Sequence, residues 1–163
     1  MSVTRDIFRA YRTPRAVYRA RAGCEVREDR ALVVLMLACG LIFLAQWPSA
    51  LRATLIDDSV PFEGRIAAAI LTTVLIGPLI AYAVGTFTHL IARLFGGRGS
   101  TYRARFALFW ALLAASPLFL LRGLVAGFFG DHPVNLAVAL VSLAAFAALW
   151  AANFAEAEWG EGL

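Results

Sequence analysis

Arg93, Arg98, Arg103 and Arg105 surround the run Gly96-Gly97-Arg98-Gly99-Ser100, in a stretch (93–117) that carries no acidic residue. Guanidinium groups set among glycines suit the binding of anions. The glycines permit tight turns, and their N–H groups can come close to a bound phosphate or carboxylate. A nucleotide loop is excluded, because the run lacks the lysine and the preceding strand such a loop requires. A second arginine group, Arg5, Arg9, Arg12 and Arg15, lies near the start of the chain. His89 is the one histidine inside an apolar run, with Tyr82, Thr86 and Thr88 nearby. A bis-histidine haem needs ligands on facing helices. His132 falls at the opposite end, so His89 is read as bonding a neighbouring helix. Cys24 and Cys39 have no CxxC spacing and read as free thiols. No carboxylate falls within the apolar runs, where a coupled transporter usually places one. Arg122, the one charge inside an apolar stretch, can snorkel outward. No serine–histidine–acid set and no metal-ligand spacing appears. The expectation is a non-enzyme without cofactor or metal.

The elements that position these residues follow from composition. Of 163 residues 61% are hydrophobic and only 16% charged, and the charges sit almost entirely outside four long apolar runs. A soluble domain would instead distribute its charges along amphipathic helices. The class is therefore all-α, an integral membrane four-helix bundle preceded by amphipathic interfacial helices. All fifteen basic residues are arginine. With the abundant alanine, that composition goes with GC-rich bacterial genomes.

Residues 1–30 form a basic segment, which is not the layout of a signal peptide. Arg5, Arg9 and Arg12 share a helical face. Thr13-Pro14 starts a second helix with Thr13 as N-cap, and Gly23 ends it. Both short helices should lie on the membrane surface with arginines toward lipid phosphate. A four-span unit follows at 31–155. The first span runs from Ala31 to Trp47, where Pro48 breaks or bends it. The second, Ile66 to Ala92, kinks at Gly77-Pro78 and carries a stripe of small residues, Ala69, Thr73, Gly77, Ala81 and Gly85. Such a stripe allows close helix approach, which predicts this helix at the centre of the bundle. The third span, Phe106 to about Phe129, is entered through Ser100-Thr101 as caps and loosened near its end by Gly123 and Gly127. The fourth is Val134 to Ala155. Residues 156–163 read as an acidic tail with Glu156, Glu158 and Glu161.

Twelve arginines precede the first span or lie in the central loop, while Arg52, Arg65 and Arg122 fall on the other side. The positive-inside rule then places both termini and the glycine loop in the cytoplasm, and the protein in a bacterial inner membrane. Basic segments held against a bilayer meet anionic lipid headgroups before nucleic acid, so no nucleic acid partner is expected.

A basic aromatic segment with Pro14-Arg15, a glycine-rich loop with Ser100 after a middle span, and Phe109-Trp110 followed by Ser116-Pro117 together resemble the Yip-type domain family. These are the Ypt/Rab-interacting membrane proteins, here in their bacterial branch. The resemblance covers roughly residues 5–155, with four spans here where eukaryotic members are usually drawn with five. Eukaryotic members bind small GTPases and act in vesicle traffic. For bacterial members the resemblance implies a small polytopic membrane protein. The resulting expectation is an adaptor or scaffold working through lipid and protein contacts, with self-association compatible. The competing expectation is an accessory or assembly subunit of a larger respiratory or photosynthetic complex. Arg5, Arg9, Arg12, Arg15, Arg93, Arg98, Arg103 and Arg105 are the expected docking residues.

Overall fold

The computed structural model describes residues 3–23, 25–57, 59–130 and 132–160. Cys24 and Glu161 lie outside these. Among the described residues every regular element is helical: α1 (Val3–Ala10), α2 (Pro14–Ala22), α3 (Glu28–Ile56), α4 (Phe62–Ile70), a π-helical segment (Leu71–Ile76), α5 (Gly77–Leu94), α6 (Thr101–Phe129) and α7 (Pro133–Trp159). The helices α3, α4 through α5, α6 and α7 are each long and apolar enough to cross a membrane. The protein is a multi-pass, all-helical bundle.

Pro48, which the sequence marks as a break or bend, and Pro78, which it marks as a kink, are both carried within helical stretches. α3 continues through Pro48 to Ile56. Within hydrocarbon an interrupted helix would expose backbone polar groups, so continuation is favoured over a break. Ahead of Pro78 the backbone widens to π geometry over Leu71–Ile76, and the Gly77 N–H donates to the Thr72 carbonyl. A wider turn relieves the clash that a proline ring makes with the carbonyl four residues earlier.

The centre of the bundle is α6, not the second span. Half of the apolar stretch of α6 (50%) is buried, against 11% for Phe62–Leu94. Phe106, Phe109 and Trp110 are fully enclosed, with Ala104, Ala107, Ala111, Ala114 and Ala115 around them. A stripe of small residues serves one face only. The mixture of large rings and alanines on every side lets α6 receive neighbours all round. Tyr82 packs on Phe109 at 4.9 Å between ring centroids, and Tyr18 and Tyr102 flank Phe106 at 6.1 and 6.0 Å. Inside a bilayer such packing, not the expulsion of water, holds helices together.

Helices α3 and α6 run in the same direction, joined by Arg105 to Glu28 at one end and Arg52 to the Phe128 carbonyl at the other. Gly123 and Gly127 do not loosen α6. They form its contact with α3, against Ala45 and Pro48. The stripe of the second span has Ala69, Ala81 and Gly85 buried and Thr73 and Gly77 half-buried. Gly85 lies against the Arg105 side chain, and the Thr73 hydroxyl accepts from the Gln46 amide at 2.6 Å.

Candidate functional site

The arginine-rich end is assembled around the loop that joins α5 to α6. α5 stops at Leu94, and Gly96 turns the chain at φ +81°, in the left-handed region where glycine carries no penalty. The loop then lies down on the last turns of α7. The Gly97 N–H donates to the Ala92 carbonyl at 2.8 Å, and the Arg98 N–H to the Glu158 carbonyl at 2.9 Å. A Cβ at Gly99 would sit 2.2 Å from the Ala157 carbonyl oxygen, so only glycine allows this approach. The expectation of free loop N–H groups awaiting an anion is thereby corrected: the Gly97 and Arg98 N–H groups are already engaged. Ser100 caps α6, its hydroxyl accepting from the Arg103 N–H at 3.3 Å.

α7 extends through Trp159, so Glu156 and Glu158 sit on helix, not on a separate tail. Glu158 is fully buried, with its Oε1 2.6 Å from Nδ1 of the buried His89. One proton lies on this contact, and Nδ1 carries it when the carboxylate is ionised. Glu158 Oε2 is buried without a hydrogen-bond partner among the described residues, as are the Tyr102 hydroxyl and both side-chain polar atoms of Asn153. His89 thus bonds a neighbouring helix, and that helix is α7.

The N-terminal helices fold back onto the bundle. Ile7, Ala10, Val17, Tyr18 and Ala22 turn inward. The Tyr11 hydroxyl donates to the Ala114 carbonyl at 2.8 Å and that of Tyr18 to the Arg103 carbonyl at 2.9 Å. Burial pushes the Tyr18 phenol well above its ordinary pKa, outweighing the opposing charge of Arg103. Pro14 opens α2 as expected, but the Thr13 hydroxyl donates back to Arg9 and makes no capping bond. Arg21 holds the buried Asp6 at 2.8 Å through Nε and lies 5.5 Å from the centroid of the Trp110 ring. Arg19 reaches Glu156 on α7 at 2.9 Å.

A division of labour results. Asp6, Glu28, Glu156 and Glu158 all face structural partners: Arg21, Arg105, Arg19 and His89. Arg105 is held by Glu28 at 2.9 Å and lies 5.3 Å from the Tyr82 ring centroid, so it is a bundle tie and not a presented group. Arg5, Arg9, Arg12, Arg15, Arg93 and Arg98 are exposed and Arg103 half-buried. None of these seven has a carboxylate partner among the described residues. Phe8, Leu94 and Phe95 are exposed at the same end, at 67%, 84% and 75%. The loop arginines and α2 thus lie at the start of α6, through Tyr18 on Arg103 and Arg19 on Glu156, while Tyr11 at the end of α1 reaches Ala114 midway along α6; Arg105 is turned inward.

Sequence reasoning missed the four latching acids. For Glu158 a signal existed, since Asn153, Ala157 and Glu158 continue the buried face of α7 past the point where hydropathy falls. Among the described residues no group of three histidine, cysteine or acidic side chains could hold a metal ion.

Neither curated proteins nor solved structures yield a match to this chain. The family model of the Yip1 domain matches residues 13–161, from the start of α2 through the end of α7. With nearly its whole length covered by that match, the chain belongs to the Yip1 domain family.

Proposed function

We propose that the protein is a non-enzymatic adaptor of a bacterial cytoplasmic membrane, with both termini and the arginine-rich end in the cytoplasm. Its basic segment (1–30) and glycine loop form one docking face for an acidic partner protein, with anionic lipid headgroups gathered at the rim. The observation that carries this reading is the segregation of charge. The acids Asp6, Glu28, Glu156 and Glu158 face partners in the bundle, while Arg5, Arg9, Arg12, Arg15, Arg30, Arg93 and Arg98 are exposed and Arg103 half-buried, all without carboxylate partners among the described residues. The exposed acids of the segment, Glu25 and Asp29, are outnumbered by these arginines. Exposed Phe8, Leu94 and Phe95 give the same face apolar anchors. Charge of this kind steers partners and gives specificity, and salt weakens it. The small stripe Ala69, Thr73, Gly77, Ala81 and Gly85 serves packing within the bundle.

The test is Arg98→Gln combined with Arg103→Gln, which leaves Arg93 and Arg105 to support insertion. Each charge near an anionic surface contributes on the order of 1 kcal/mol. Recovery of acidic partners in mild detergent should fall about tenfold at low salt, with normal insertion. Undiminished recovery from a correctly inserted double variant would contradict the docking face. A fixed stoichiometric assembly that survives both changes would favour the complex-subunit reading.

A further inference from the structure

The opposite end carries a second, separate arrangement. A cavity of about 470 Å³ lies between α3 and α6, within the roughly 300–1,000 Å³ usual for ligand sites. Ile42, Leu112 and Phe119 line its apolar depth, while Gln46, Ser49 and Arg122 are its polar members. A neighbouring cavity of about 390 Å³ shares Ser49 and Ala126 and adds Arg52 and Arg65 toward the end of the bundle. The three arginines outside the basic end thus line two adjoining cavities, which together make up the groove.

Two of these arginines have structural partners. Arg52 donates to the Phe128 carbonyl at 3.3 Å, and Arg65 to Asp57 at 3.3 Å. Arg122 is exposed, with neither a hydrogen bond nor an ion pair among the described residues. It stands seven residues before the end of α6, which places it roughly 10 Å below that end at 1.5 Å per residue. A charge at that depth is costly unless it meets a counter-charge or reaches the interface. The other polar members do not supply one. The Gln46 amide donates to Thr73, and the Ser49 hydroxyl donates to the Gln46 carbonyl. On the same stretch of α6, Leu121, Leu124 and Phe128 are exposed.

We propose that this groove binds one anionic phospholipid of the leaflet opposite the basic end. The phosphate pairs with Arg122, and an acyl chain lies along Ile42, Leu112 and Phe119. Charge complementarity selects the headgroup, and the apolar depth selects a chain over a free inorganic anion. The site is independent of the docking face.

The test uses the full-length protein purified in neutral detergent and titrated with phosphatidylglycerol or with phosphatidylcholine of the same chains. Native mass spectrometry counts the bound lipids. One phosphatidylglycerol should be retained at concentrations where phosphatidylcholine is not. Arg122→Gln should weaken that first binding event on the order of tenfold, as expected for a charge-assisted hydrogen bond, and Arg122→Lys should restore much of it. Ala126→Phe, which fills the junction of the two cavities, should weaken it with Arg122 intact. In a chain already carrying Arg98→Gln and Arg103→Gln, Arg122→Gln should still remove one bound phosphatidylglycerol, which separates this site from the basic end. Equal retention of the two lipids, or unaltered binding by Arg122→Gln, would overturn the proposal. Absence of any Arg122→Gln effect in the chain lacking Arg98 and Arg103 would move the bound lipid to the other end and overturn it equally.

Discussion

Gly123→Val should destabilise the bundle by about 3 kcal/mol, at the upper end of ordinary overpacking costs. A Cβ at this position would stand 1.9 Å from the Ala45 carbonyl oxygen and 2.7 Å from its carbon. Those atoms are backbone of α3, so no side-chain rotation can relieve the contact and the helices must separate. One turn along, a Cβ at Gly127 would lie 2.4 Å from the Pro48 Cβ, so the two glycines act together as a small-xxx-small contact. Gly40 is the internal control. It lies in α3 with nothing within 4 Å of its would-be Cβ. Gly40→Ala should change stability by no more than about 0.5 kcal/mol. Denaturant titration of the detergent-solubilised protein measures both. Equal tolerance at the two positions would mean that α3 and α6 do not touch along this face.

Glu158→Ala should be nearly as damaging, costing about 3 kcal/mol. Removing one member of a buried pair leaves its partner without compensation. Here His89 Nδ1 loses the oxygen 2.6 Å away, in a site where Glu158 is fully buried. Glu158→Gln keeps the shape and a hydrogen bond and should cost only about 1 kcal/mol. The pairing has a sharper signature in a double-mutant cycle with His89→Ala. The double variant should lose less than the sum of the single losses, by about 1 kcal/mol or more. Additive losses would show that the two residues act separately, and that the glycine loop is seated by backbone contacts alone.

Much of the fold is written in the hydropathy of the chain. Four long apolar runs bounded by arginine and acidic residues define four spans, because a bilayer accepts little else. The internal order of the bundle is less legible. A stripe such as Ala69 to Gly85 marks a face that can be approached closely, but it does not say how many neighbours a helix has. The central place of α6 is a property of three-dimensional packing around Phe106, Phe109 and Trp110. Proline also reads differently in a membrane. Pro48 and Pro78 mark a continued helix and a π-helical segment, where in water they would mark ends.

At the arginine-rich end, the basic groups are visible in the sequence and their partners are not. Glu158 and Asp6 look like solvated acids in their local context, yet tertiary contacts bury both. Hydropathy alone ended α7 too early, since Glu156 and Glu158 lower the average while Trp159 still belongs to the helix. Arg105 shares the loop's basic composition, but Glu28 and Tyr82 take it into the bundle. Which arginines remain for a partner is thus decided by the acids that fold inward.

A cytoplasmic docking face requires α1, the glycine loop and the end of α7 to lie on one side of the membrane, with the α3–α4 connection on the other. Single cysteines placed by Phe8→Cys, Arg98→Cys and Val60→Cys, in a chain carrying Cys24→Ala and Cys39→Ala, make this measurable with a membrane-impermeant maleimide on intact cells. Val60→Cys should label at once, and Phe8→Cys and Arg98→Cys only after permeabilisation. Labelling of Phe8→Cys or Arg98→Cys in intact cells, or protection of Val60→Cys until permeabilisation, would contradict the proposed orientation and the docking face with it.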